Sequence, residues 1–220
     1  MKHYRWFLAF VFSLHFISLY AQDSTKARRF FIGPFFSPEI SGAIAPYPIE
    51  TRVSSTFGVD MLYSLNNSIN FTMGVQFSSK DGSDNGGGYE FRLHSNYIDI
   101  PLKCDVYLLK KKQLRPYVAF GLSPNVFLQA TETDLSGTAS DQSTKNGFYP
   151  VNVQGLLGLG LDYRFKKSRF RLELIGRYSI TDANQAVPYN TFFNLADGLF
   201  TTYARKYYSI GLGLSYLFGI

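Results

Sequence analysis

Tyr207-Tyr208-Ser209-Ile210-Gly211-Leu212-Gly213-Leu214-Ser215-Tyr216-Leu217-Phe218 is the stretch whose alternation decides the fold. Successive side chains of a strand point to opposite faces. Tyr208, Ile210, Leu212, Leu214, Tyr216 and Phe218 therefore share one face, and Ser209, Gly211, Gly213 and Ser215 share the other. A wall that is apolar on one side and small or polar on the other suits hydrocarbon outside and a polar interior. In hydrocarbon every backbone group must be paired, and for strands only a closed barrel achieves that.

The same pattern recurs upstream. Phe30 to Gly42 reads as a first strand with Phe30, Ile32, Phe36 and Ile40 outward, interrupted by Pro34 and Pro38, which remove ladder donors. After a loop at 43–50, Thr51 to Leu65 and then Ile69 to Ser78 alternate cleanly, joined by the turn Asn66-Asn67-Ser68. Lys80 to Gly88 reads as a Gly/Asp/Ser loop, and a fourth strand is predicted from Tyr89 to Leu109. Its parity changes near Asn96, which implies either a bulge or a first half lying outside the bilayer. A fifth strand carries Arg115, Tyr117, Ala119, Gly121, Ser123 and Asn125 inward, and the polar segment from Thr131 to Pro150 reads as a loop. Val151 to Arg164 and Arg169 to Ile180 form a sixth and a seventh strand around the turn Lys166-Lys167-Ser168, and a long loop from Thr181 to Arg205 leads to the closing strand. The predicted fold is all-β, an eight-stranded antiparallel up-and-down transmembrane β-barrel with turns at one end and long loops at the other. A soluble eight-stranded barrel or sandwich, with the apolar face packing a core, is the alternative.

Residues 1–21 have the layout of a secretory signal peptide: Lys2 and Arg5, an apolar core from Trp6 to Leu19, then Ala21 before Gln22. That core is too short for a spanning helix, which needs about 20 residues. The barrel domain is then 22–220, and loss of Lys2 and Arg5 lowers the formal net charge from +6 to +4. The basic excess is scattered, so no nucleic-acid footprint is present. Cys104 is the single cysteine, which excludes an intramolecular disulfide.

Phe218, two residues after Tyr216 near the C-terminus, resembles the last-strand signal of bacterial outer-membrane β-barrels. Tyr97-Ile98-Asp99-Ile100-Pro101-Leu102-Lys103, then Arg115-Pro116-Tyr117 with Gly121, then Gly155-Leu156-Leu157-Gly158-Leu159-Gly160, are similar to the PorT-like outer-membrane β-barrel family of Bacteroidota. The Ala21-Gln22 junction is similar to signal cleavage sites of that group. The resemblance implies residence in the cell outer membrane, contact with its lipid, insertion by the barrel assembly machinery and no cofactor. It also implies a structural or adaptor role, with some relatives associated with type IX secretion.

The inward positions carry Arg52, Lys103, Arg115, Arg164, Arg169, Arg171 and Arg177 against Glu39, Asp60, Asp99, Asp105, Asp162 and Glu173. Eight strands enclose a bore that side chains can fill, and lone buried charges are costly. The expectation is a charge-paired, plugged interior, with Asp162 opposite Arg171 as an interior salt bridge. A narrow solute channel is the alternative. His94-Ser95 raises a lipid-modifying hydrolase, but neighbouring strand residues face opposite ways, whereas nucleophile and base must touch. Asp81, Asp84 and Asn85 lack the spacing and closing Glu of a calcium loop. The loop 182–204 carries Tyr189, Phe192, Phe193, Phe200 and Tyr203, more apolar surface than a solvated loop needs. It is expected to cap the barrel mouth, meet the membrane interface, or dock an envelope protein or a glycan.

Overall fold

Ten strands form in the computed structural model, which describes residues 30–44, 49–84, 91–109, 113–134, 142–144, 148–182 and 206–220. They are β1 Phe30–Ile44, β2 Ile49–Ser64, β3 Ile69–Asp84, β4 Phe91–Asp99, β5 Leu102–Tyr107, β6 Leu114–Asp134, β7 Gln142–Thr144, β8 Val151–Phe165, β9 Ser168–Ser179 and β10 Lys206–Gly219. The order β2-β1-β10-β9-β8-β6-β4-β3 closes through a β2–β3 pairing, and β5 continues β4 between β3 and β6. All pairings are antiparallel. With β4 and β5 sharing one stave and β7 lying off the path, the barrel has eight staves.

Alternation sets the wall. Phe30, Ile32, Phe36 and Ile40 of β1 are exposed while Phe31, Phe35, Ser37 and Glu39 are buried, and β8, β9 and β10 repeat the pattern. The large exposed side chains are overwhelmingly Leu, Ile, Val, Phe, Met and Tyr. Paired residues followed round the barrel run Phe31, Leu62, Thr72, Lys103, Gly121, Leu156, Arg177, Ser209 and back to Ser41 on β1, ten positions above the start. Such a stagger requires strands tilted by roughly 35–45°. The tilt places residues that are far apart in register at the same height in the lumen.

Several sequence expectations are corrected. The segment 80–84 is not loop but the end of β3, pairing with β4 from Lys80↔Ser95 to Asp84↔Phe91. Thr131 to Asp134 likewise continue β6, and Gln142–Thr144 pair back onto it as β7, because the hairpins extend past the barrel wall. The fourth strand breaks at Ile100-Pro101, where proline has no N–H for the ladder. The Ile100 N–H still reaches the Pro124 carbonyl at 2.8 Å, and the Pro101 carbonyl accepts from Gly74 at 3.1 Å. The parity change near Asn96 is a bulge against β6, where Asn96 pairs Gln129 and Tyr97 pairs Phe127. The turn at Lys166-Lys167 forms with Phe165 opposite Ser168, and Lys166 takes a left-handed φ of 49°.

The prolines of β1 have a one-sided effect. The Phe30 carbonyl accepts from the Ile220 N–H at 3.0 Å, so N–H groups of even-numbered β1 residues point to β10. Pro34 and Pro38 are both even, and the β1–β10 register skips Gly33-Pro34 and Ser37-Pro38 while β1–β2 is continuous from Phe30 to Ser41. Their cost falls on the closing seam alone. The proposed signal segment 1–21 lies outside the described residues.

Candidate functional site

The inward face is a connected polar interior with aromatic ends. Nearest the short turns, Asp162 of β8 is held by Arg169 at 3.3 Å and Arg115 at 3.5 Å, and the Tyr107 hydroxyl donates to its Oδ2 at 2.5 Å. Arg115 lies 4.0 Å from the Tyr107 ring centre and Arg169 lies 4.2 Å from that of Phe31, which packs with Leu62 and Leu217. One layer up, Arg171 of β9 reaches across the lumen to Asp105 of β5 at 2.8 Å, and Thr72 donates to the same carboxylate oxygen at 2.7 Å. Lys103 donates to both oxygens of Glu173 at 2.9 and 3.0 Å, and the Tyr117 hydroxyl donates to Oε2 at 2.9 Å.

Higher still, Arg177 bridges Glu39 of β1 at 3.2 Å and Asp99 of β4 at 3.5 Å. Ser209 donates to Glu39 at 2.7 Å, and Asn125 donates to Asp99. Above them Lys80 lies 3.8 Å from Asp99 and 4.6 Å from the centre of the Tyr97 ring. Tyr97, Tyr207 and Phe127 form an aromatic cluster near the long-loop end, with centroids 6.3 Å and 5.6 Å from Tyr97.

Two inward glycines make room for this packing. A Cβ at Gly158 would lie 2.3 Å from Glu173 Oε1, and one at Gly160 would lie 2.3 Å from the Tyr117 ring. Arg115, Arg171, Asp105, Asp162 and Asp99 are at most 2 % exposed, so charges crossing the bore are shielded by their partners.

The predicted network residues Asp99, Lys103, Asp105, Arg115, Asp162, Arg171, Glu173 and Arg177 all take part. The expected Asp162–Arg171 bridge is corrected. The two are opposite in register, but Arg171 bonds Asp105 and lies 3.8 Å from Glu173, while Asp162 takes Arg115 and Arg169. A guanidinium on a long stem reaches past its cross-strand neighbour to a carboxylate on the far wall. Residues the charge pattern missed are Lys80, which was assigned to a loop, and Tyr97, Tyr107, Phe127 and Tyr207. Aromatics on the polar face of a strand were the available signal. His94 contacts Asp81, with side-chain exposure of 40 % against 5 %, and Ser95 is fully buried, so the His94-Ser95 pair splits between faces. The aromatic loop residues Tyr189, Phe192, Phe193, Phe200 and Tyr203, and Asn85, lie outside the described residues. Among the described residues no group of three or more His, Cys, Asp or Glu is arranged to hold a metal ion.

A family model described as outer membrane protein beta-barrel domain matches residues 20–185. The chain belongs to that family. This outer membrane barrel therefore sits in the cell outer membrane, its apolar band against lipid. Among solved structures it is similar to neisserial surface protein A, at 13 % identity and a TM-score of 0.48, covering 87 % of this chain and 97 % of that one. It is also similar to a major outer membrane protein of Thermus thermophilus, at 16 % identity and a TM-score of 0.46, covering 84 % and 99 %. A third is OprG of Pseudomonas aeruginosa, at 13 % identity and a TM-score of 0.43, covering 90 % and 99 %. No curated protein matches the chain.

Proposed function

We propose that this outer membrane barrel is a non-conducting, non-catalytic scaffold that acts as a structural or adaptor component by holding its long loops at the cell surface. The observation that carries the reading is the lumen, crossed by Arg171–Asp105 and Arg177–Asp99 and ended by Tyr97, Phe127 and Tyr207. A path for solute would have to break buried ion pairs, each costly to open. Loop 182–204, with Tyr189, Phe192, Phe193, Phe200 and Tyr203, is the surface offered to an envelope protein partner, and the likeness to PorT-like barrels makes a type IX-like secretion assembly the first partner to try.

Planar-bilayer recording of purified protein tests the non-conducting part, with no unitary steps expected and steady single-channel steps overturning it. Deleting 191–202 in cells tests the adaptor part. Heat-modifiable gel migration should persist while crosslinking to secretion components is lost; unchanged crosslinking would remove the loop from the role.

A further inference from the structure

The outer wall is not evenly filled. On β8 and β9 the outward positions 155 and 176 are glycines, and over them the wall sinks into a groove of about 720 Å³. Phe120 and Leu122 of β6 flank it on one side, and Tyr208 and Ile210 of β10 on the other. The outward side chains around it are apolar or aromatic. Barrel packing does not require these two glycines. A Cβ at Gly176 would come no nearer than 3.7 Å to the Leu157 carbonyl oxygen, and one at Gly155 would lie 3.6 Å from Ile180 Cδ1. Both distances are ordinary contact, unlike the 2.3 Å clash inside the lumen at Gly158. The glycines leave a hollow that neighbouring side chains do not claim.

The upper border of the hollow is polar. Tyr178 and Tyr208 face each other across β9 and β10, toward the long-loop end. Lys206, partly buried at the start of β10, lies two residues above Tyr208 on the same face, roughly 6–7 Å along the strand. Long loops mark the cell-surface end of such barrels, so tyrosines and lysine stand at headgroup height in the outer leaflet.

We infer that this groove holds one acyl chain of an anionic outer-leaflet lipid, with the lipid phosphate at Lys206. A void in hydrocarbon forfeits dispersion contacts on every side, and a flexible chain fills it without asking for a hydrogen bond that the walls cannot make. The lysine supplies the opposite charge where the chain meets its phosphate.

Native mass spectrometry of the full chain in detergent tests this, using phosphatidylglycerol and phosphatidylcholine with identical chains in equal amounts. One bound phosphatidylglycerol is expected in about fivefold preference, the worth of a single lysine at an anionic headgroup. Gly176→Leu, whose Cβ comes no nearer than 3.7 Å to the Leu157 carbonyl oxygen, should fill the hollow and abolish retention while heat-modifiable migration persists. Gly155→Leu should do the same and serves if the first variant does not fold. Lys206→Gln should bring the two lipids to parity. Equal retention of both lipids by the native protein, undiminished retention in the leucine variants, or a dimer that excludes lipid would each overturn the assignment.

Discussion

Glu173 accepts from Lys103 and Tyr117 and lies 3.8 Å from Arg171, so truncating it leaves an ammonium and a phenol buried without their acceptor. Glu173→Ala is expected to cost about 3–5 kcal/mol, the usual loss on breaking one partner of a buried ion pair. Urea unfolding in lipid vesicles reads it, and the double change Lys103→Met with Glu173→Leu should recover most of the loss, since it removes both charges together. Lys166 offers a test of opposite sign. Its φ of 49° is strained for a side chain, and Lys166→Gly is expected to gain about 0.5–1 kcal/mol; a loss in the same assay would show that the turn draws on the lysine itself. At this scale the sequence disclosed which residues face inward, because parity is local. It did not disclose who meets whom. Arg171 shows why: its register partner is Asp162, but its length and the strand tilt carry it to Asp105 on another stave.

Strand count and order were legible from turn chemistry, although the first connection is shorter than the expected loop at 43–50: β1 runs to Ile44 and β2 starts at Ile49, a gap no longer than the one from Ser64 to Ile69. Asn66 illustrates the local logic, its side-chain oxygen accepting from the N–H groups of Ser68 and Ile69 at 2.8 Å. Strand ends were less legible, since residues 80–84 and 131–134 are polar enough to read as loop yet pair beyond the apolar band. Those hairpins stand clear of hydrocarbon, where no apolar face is needed to hold a ladder. β1 carries the prediction proper to this scale. Pro38 interrupts only the β1–β10 seam, so Pro38→Val restores a donor there and is expected to gain about 0.5–1.5 kcal/mol, one net hydrogen bond. Amide exchange should show slower opening along β10 and no change across β1–β2; equal protection before and after would mean that the seam is closed by side-chain packing instead.

On the proposed non-conducting reading the lumen is closed by two devices of different physics, which makes its closure testable as a property of the whole barrel. Toward the short turns, Arg171 crosses the bore to Asp105 while Arg115 and Arg169 hold Asp162 from the two neighbouring staves, and toward the loops Tyr97, Phe127 and Tyr207 meet edge to face. The stagger of ten residues is what brings β5, β8 and β9 to one height for the first seal, and β4, β6 and β10 to one height for the second. Replacing Arg169 and Arg171 by Ala should therefore leave the barrel electrically silent in planar bilayers, because the Arg177 bridge and the aromatic layer still stand in the bore. Adding Arg177→Ala, Tyr97→Ala and Phe127→Ala, which also removes the bridge to Glu39 and Asp99, should produce small unitary steps, with heat-modifiable migration confirming that the barrel remains closed as a wall. Current through the arginine double variant alone would mean that neither the aromatic layer nor the Arg177 bridge seals, and the Arg171–Asp105 layer would then be the sole barrier to solute.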